Sequence, residues 1–135
     1  MNDEASAVNL HPDHIADLQR SGLTGKVLSE LAIADVRPHD ITVQGVRSAY
    51  RIPFFDIDGT QTGFERQRLF PAVKTSDGHT QKYFQLNGTD PHPYFPPLMK
   101  WRPIAHTPDE PLIIVEGEKK AASACRLGID RKSVV

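Results

Sequence analysis

The chain has 135 residues, 39% of them hydrophobic and 24% charged, a composition able to bury a core and unlike that of a disordered segment. Its formal net charge is -1, so the whole chain lacks the basic signature of nucleic-acid binding, and any such binding must come from a local patch. No apolar run approaches the ~20 residues of a membrane-spanning helix, the acidic start Met1-Asn2-Asp3-Glu4 does not read as a signal peptide, and the lone Cys125 excludes an internal disulfide; a cytoplasmic protein with no membrane partner is expected.

In chain order, residues 1 to 9 are small and polar and are expected to fray. Pro12 suits a first helical position, Ile15 and Leu18 follow at helical spacing, and Gly22 makes a C-terminal stop. Thr24 is the expected cap of a second helix whose apolar stripe is Val27, Leu28 and Leu31. The two helices form an αα unit over residues 12 to 34 whose stripe faces a core. His11 and His14 fall on one helical face, but without an acidic or cysteine partner at metal-site spacing.

Pro38 closes this region, and from Ile41 the pattern changes to short extended pieces. Tyr50 to Asp56 reads as a strand that Pro53 pushes toward a sheet edge. Asp58-Gly59 is a turn signal, Thr62 to Phe70 the returning strand, Lys74 to Thr80 a polar turn and Lys82 to Leu86 a third strand. Residues 87 to 97 are a Pro-rich loop, and residues 99 to 110 a connector. Pro111 to Ala122 then reads as a buried strand, a sharp turn at Gly117 and a helix, with Glu116 at the carboxyl end of the strand. In open α/β sheets that is where ligands and catalytic groups sit. A second strand is expected after Gly128, close to Val135, so the unit reads as the truncated beginning of an α/β domain.

Three motifs carry candidate chemistry. Asp56-Ile57-Asp58-Gly59-Thr60 matches the DxDGT signature of haloacid-dehalogenase-like phosphatases, with Asp56 as nucleophile and Asp58 as general acid. A plain hairpin turn accounts for the same residues, since the stretch after it alternates like a strand. Phe64, Arg66, Arg68 and Phe70 share one strand face, and with Lys82 on the next strand they could form a basic, aromatic patch for a phosphate backbone or a nucleotide. The alternative is a solvated strand face with incidental charges. Glu116 could be a metal ligand or a general acid/base. Alternatively, Glu116 and Glu118 are helix-start acids that favour the positive end of the dipole. Lys119 and Lys120 read as exposed helix residues.

Leu112-Ile113-Ile114-Val115-Glu116-Gly117-Glu118-Lys119-Lys120-Ala121 resembles the first motif of TOPRIM domains, the fold shared by bacterial primases and topoisomerases. Residues 51 to 66 are similar to the primase order of a strand, a D-x-x-G turn and G-F-x-x-R, and Lys82-Tyr83-Phe84 resembles the primase K-Y-L segment. The whole chain resembles the uncharacterised domain that precedes TOPRIM in phage and plasmid replication proteins. The resemblance implies that Glu116 is the TOPRIM glutamate, acting in acid/base chemistry or with Mg2+, with Glu118 a second candidate ligand of an incomplete metal site. It implies that Lys82 and one of Arg66 and Arg68 line a groove for nucleotides and single-stranded DNA. The D-x-D motif that holds magnesium in the family would lie beyond Val135.

The expected fold is α+β: a helical lead-in over 1–38, a primase-like antiparallel β meander over 39–110, and the first β–α unit of a TOPRIM-like α/β domain over 111–135. The expected function is that of a fragment of a primase-like DNA replication protein of a mobile element. It would bind single-stranded nucleic acid or nucleotide, with a replicative helicase as a further partner, and act as a primase-type nucleotidyltransferase only in longer form. The alternative is a non-catalytic module that binds nucleic acid or a helicase, and the least favoured is the phosphatase of Asp56 and Asp58.

Overall fold

The protein is described from a computed structural model that covers residues 9–85, 92–109, 113–127 and 133–134. It is a mixed α/β chain built on a four-stranded antiparallel sheet. Helix α1 (Pro12–Arg20) starts with Pro12 in its first turn, where the missing N–H costs nothing, and the His11 ring accepts a hydrogen bond from the Asp13 N–H at 3.0 Å. It stops as the sequence predicts. Gly22 takes a positive φ of 76°, its N–H reaches the Gln19 carbonyl at 2.9 Å, and the Leu23 N–H reaches the Leu18 carbonyl at 3.0 Å. This is the paired closure that a left-handed residue after the cap allows. Helix α2 (Lys26–Glu30) is shorter than expected and starts after Gly25, with no capping side chain from Thr24. Leu18, Leu23, Leu28 and Leu31 are all fully buried. Each contributes about 1.5–3 kcal/mol of burial.

The chain then enters the sheet earlier than expected. Strand β1 (Ala34–Asp35) lies inside the stretch read as helical lead-in and pairs antiparallel with β2 (Ser48–Phe55). Strands β3 (Gln61–Lys74) and β4 (Thr80–Phe84) complete the order β1-β2-β3-β4. The meander is as predicted, with β3 extended past Phe70 through Pro71; the register shifts between Arg68 and Val73, where Pro71 has no N–H to give the ladder. Pro53 sits on an inner strand rather than an edge strand. It is tolerated because β1 pairs only with Tyr50 and Arg51, so among the described residues no strand pairs with β2 on that side at Pro53.

The Asp56–Thr60 segment is the β2–β3 hairpin turn. The Asp56 N–H meets the Thr60 carbonyl at 2.9 Å, and the Asp56 carboxylate accepts from the N–H groups of Asp58 (2.9 Å) and Thr60 (3.0 Å). Asp58 is held by both arms of the Arg102 guanidinium, at 2.6 and 2.8 Å, which lowers its pKa. Both carboxylates are thus engaged in shaping and anchoring the turn, which accounts for the motif without phosphatase chemistry. Arg102 belongs to α3 (Trp101–Ala105), a short helix in the connector that the proline content had masked. Pro103 is accommodated in its first turn, and the buried Trp101 donates its indole N–H to the Pro96 carbonyl at 2.7 Å. The end of the predicted third strand, at Leu86, and the first half of the Pro-rich loop lie outside the described residues.

The last unit is β5 (Ile113–Ile114), α4 (Glu118–Leu127) and β6 (Ser133–Val134). The two strands pair in parallel, Ile113 with Ser133 and Ile114 with Val134, so the strand expected after Gly128 is present. The strand expected to be buried is not buried at Ile114, whose side chain is 75% exposed, whereas Val115 packs on the main core. Successive strand residues face opposite ways, so when one face of such a strand packs inward the other stays bare unless a second layer covers it. One hydrophobic cluster runs through all three predicted regions. It joins Leu18 and Leu28 of the helical pair, Tyr50, Ile52 and Phe54 of β2, Tyr94, and Ala121 and Ala122 of α4. Among the described residues no helix is long and apolar enough to cross a membrane.

Candidate nucleic-acid or nucleotide site

Strand alternation decides which side chains reach the helices. On β3, Phe64 and Phe70 pack on the main core, while Leu69 faces the opposite side in a second cluster with Val36 and Ala49. Arg66 and Arg68 therefore sit under α4 and α1 between two aromatic residues. Tyr50, Arg68 and Tyr83 are direct cross-strand partners on β2, β3 and β4, one row across the sheet. The Arg68 guanidinium lies 4.6 Å from the Phe70 ring centre and 5.7 Å from that of Tyr83. At 14% exposure, Arg68 is not part of a solvated strand face.

The βα turn brings the other half of the site. Gly117 adopts a positive φ of 95° between Glu116 and α4, and its carbonyl accepts from the Ala121 N–H at 3.2 Å. This sharp reversal sets Glu116, Glu118, Lys119 and Lys120 over the sheet. The result is an open groove of about 610 Å3 lined by Arg66, Arg68, Lys82 and Tyr83 from the sheet, Glu116 to Lys120 from the turn and helix, Asp17 from α1 and Ser21 from its C-terminal cap. The five residues expected at a binding or metal site, Arg66, Arg68, Lys82, Glu116 and Glu118, line this one groove, whereas Asp56 and Asp58 of the DxDGT motif do not.

They are not equivalent. Glu116 is 94% exposed, and its nearest charge is Lys120 at 3.9 Å. Glu118 is only 3% exposed, and its carboxylate is straddled by Arg66, with Nε 3.3 Å from Oε1 and Nη1 donating to Oε2 at 3.3 Å. The Nε contact is an ion pair without hydrogen-bond alignment, so Oε1 has no hydrogen bond among the described residues. The buried Tyr94 hydroxyl also lacks one; burial raises its pKa, as does the charge of Glu118. The second arm of Arg66 donates to Gln85 at 3.2 Å. Lys82 is exposed, and no ion-pair partner for it exists among the described residues.

The residue that sequence reasoning missed is Asp17. It is buried, and its Oδ2 accepts from the Tyr50 hydroxyl at 2.7 Å and from Lys119 Nζ at 3.1 Å. Its Oδ1 accepts from Arg20 at 3.2 Å and lies 3.7 Å from Arg68. Burial works to raise the Asp17 pKa, but the hydrogen bonds from Tyr50 and Lys119, with the charge of Lys119, outweigh it and hold the carboxyl below its ordinary value. Tyr50 is pushed up, by burial first and by Asp17 second. No motif in the sequence points to Asp17. Its adjacency to the core residue Leu18 and its placement three residues after His14 were the available signals. Lys119, read as exposed, is 19% exposed because Asp17 draws it in.

The metal reading can be tested on the donor set. Among the described residues there is no group of three or more histidine, cysteine or acidic side chains able to hold an ion, and Glu118 is already paired with Arg66. Glu116 and Glu118 alone do not fit a magnesium cage.

A second cleft, of about 800 Å3, is lined by His11, Asp13 and His14 at the N-terminal end of α1. There His14 Nδ1 is 2.6 Å from Asp35 Oδ1, and Nε2 is 2.9 Å from Ser48 Oγ. An ionised carboxylate only accepts, so Nδ1 is the donor to Asp35, and Nε2 and the Ser48 hydroxyl share the second hydrogen bond. The order resembles a nucleophilic triad. However, His14 is buried against Phe70 and Tyr50, and the neighbouring Arg47 N–H is spent on the Phe70 carbonyl at 2.8 Å. The cluster staples α1 to β1 and β2, and it explains why a histidine sits on the core face of α1.

No protein-family model matches the chain, and neither a curated protein nor a solved structure shows significant similarity to it.

Proposed function

We propose that the chain is a phosphate-binding part of a primase-like DNA replication protein of a mobile element, and that its ligand is single-stranded nucleic acid or a nucleotide. One observation carries this reading. Five cationic side chains from two strands and a helix line a single groove against three carboxylates, Asp17, Glu116 and Glu118, a local excess of positive charge in a chain whose net charge is -1. A patch so concentrated against the global charge is the electrostatic footprint of a phosphate ligand. Tyr83 at the groove wall supplies a ring on which a base can stack. The order of the TOPRIM-like and primase-like segments supports the same reading from the sequence side. So does the parallel strand–helix–strand arrangement of β5, α4 and β6.

Binding, rather than chemistry, is the proposal for these residues. Magnesium-assisted primer synthesis would need more carboxylates than Glu116 brings. A cytoplasmic setting and a replicative helicase partner fit the same reading. The test is fluorescence anisotropy with a labelled single-stranded oligonucleotide at several salt concentrations. Binding should weaken as salt rises, and nucleoside triphosphate should compete. An oligonucleotide that does not bind at low salt, together with a triphosphate that does not either, would contradict the reading.

A further inference from the structure

We propose that Asp17, on α1, is a built-in counter-anion of the groove: it fixes Arg68 and Lys119 where a ligand phosphate docks and moderates how tightly that phosphate is held. The inference rests on the phosphate-binding reading above. It goes further in making the first helix a working wall of the site.

The geometry supports it in three steps. First, Arg68 comes from β3 and Lys119 from α4, and Asp17 is the carboxylate on which both converge, at 3.7 and 3.1 Å, beside the Tyr83 ring that both also approach, at 5.7 and 5.8 Å from its centre. Second, the place of the carboxylate is secured independently of these cations. The Tyr50 hydroxyl, itself buried on the central strand β2, donates to it at 2.7 Å. Third, the two sides differ in spare capacity. Tyr50, Lys119 and Arg20 donate to Asp17, taking three of its roughly four acceptor positions, and the Arg68 guanidinium stands 3.7 Å away. Lys119 and Arg68 keep donors beyond those spent on Asp17 and on the Leu69 carbonyl, and both residues line the groove. A phosphate oxygen, acceptor-only and anionic, is the complement of what remains.

The carboxylate therefore has two opposed effects. It pre-organises the cations, and it cancels part of their field. Replacing it by an amide of the same shape removes the charge while the packing stays. The protein then becomes less stable, because two partly buried cations lose their partner. Anions bind it more tightly, because the phosphate alone supplies that missing charge.

The test uses the full chain, a labelled oligo-dT and inorganic pyrophosphate as competitor. Asp17→Asn should bind about five- to tenfold tighter at low salt, the scale of one partly screened charge. Its melting temperature should fall. Glu30→Gln changes the net charge equally but outside the groove lining, and its affinity should stay within about twofold of wild type. The double replacement Asp17→Asn with Lys119→Gln removes the closest buried ion pair together and leaves only Arg68, of the two partly buried cations, without its carboxylate. It keeps the test open if the single variant does not fold, and should bind within about threefold of wild type. A folded Asp17→Asn that binds no better than wild type, or a folded double variant that has lost binding, overturns the proposal. Wild type that binds neither probe contradicts the groove reading itself, a separate outcome.

Discussion

At the residue scale, the groove side chains separate into those committed to the fold and those free to meet a ligand. Arg66 belongs to the first group. Removing it strands the buried Glu118 carboxylate, so Arg66→Ala should cost about 3–5 kcal/mol of stability, as measured by urea unfolding. Adding Glu118→Gln should recover much of that loss, and a single variant as stable as wild type would contradict the pairing. Lys82 belongs to the second group, being exposed and without an ion-pair partner among the described residues. Lys82→Ala should leave stability within about 0.5 kcal/mol of wild type. Asp17 gives a pH signature. Its folded pKa lies below the ordinary value of 3.8, so its contribution to stability is complete above that range. The contribution is lost as pH falls through the lower, folded value. Thermal melts from pH 6 downward should show wild type losing stability more steeply than Asp17→Asn, and parallel curves would refute the assignment. Sequence reasoning named Arg66, Arg68, Lys82, Glu116 and Glu118 because motif order points to them. It missed Asp17 because no motif points to it, and only the packing of α1 against Tyr50 turns it inward.

At the element scale, local chemistry was legible where one residue type dictates the backbone. Gly22 stopped α1, Asp58-Gly59 turned the hairpin and Gly117 turned the chain into α4. Gly22→Ala places a β-carbon at positive φ, 3.2 Å from the movable end of Arg126. The steric cost is small and the backbone cost dominates, so the loss should be about 1–2 kcal/mol. This would appear in differential scanning calorimetry as a melting temperature lowered by roughly 3–8 °C, and an unchanged value would contradict the left-handed closure. Pairing partners were harder to read than turns. Two-residue strands such as β1 and β5 carry too few residues to show a period, and Pro53 read as an edge because the length of its neighbour could not be known. Ile114 was expected inside because an apolar run does not say which of its faces is covered. That depends on a second layer, not on the run itself.

At the scale of the whole molecule, the predicted helical lead-in, meander and β–α unit share one core, and the groove lies where they meet. A net charge of -1 conceals this. Asp17 and Glu118 neutralise cations inside the groove, so the patch is compact and only partly compensated, and an average over the chain reads as neutral. Such a patch predicts modest, strongly salt-dependent affinity. On a single strand each lysine contact adds about 0.7 to the slope of log K against log salt. Anisotropy titration of a labelled single-stranded oligonucleotide against wild type and Lys82→Ala, across a salt series, is the most direct test. The groove account predicts weaker binding by Lys82→Ala at unchanged stability, with the slope reduced by about 0.7. Identical affinity and slope for the two proteins would contradict it.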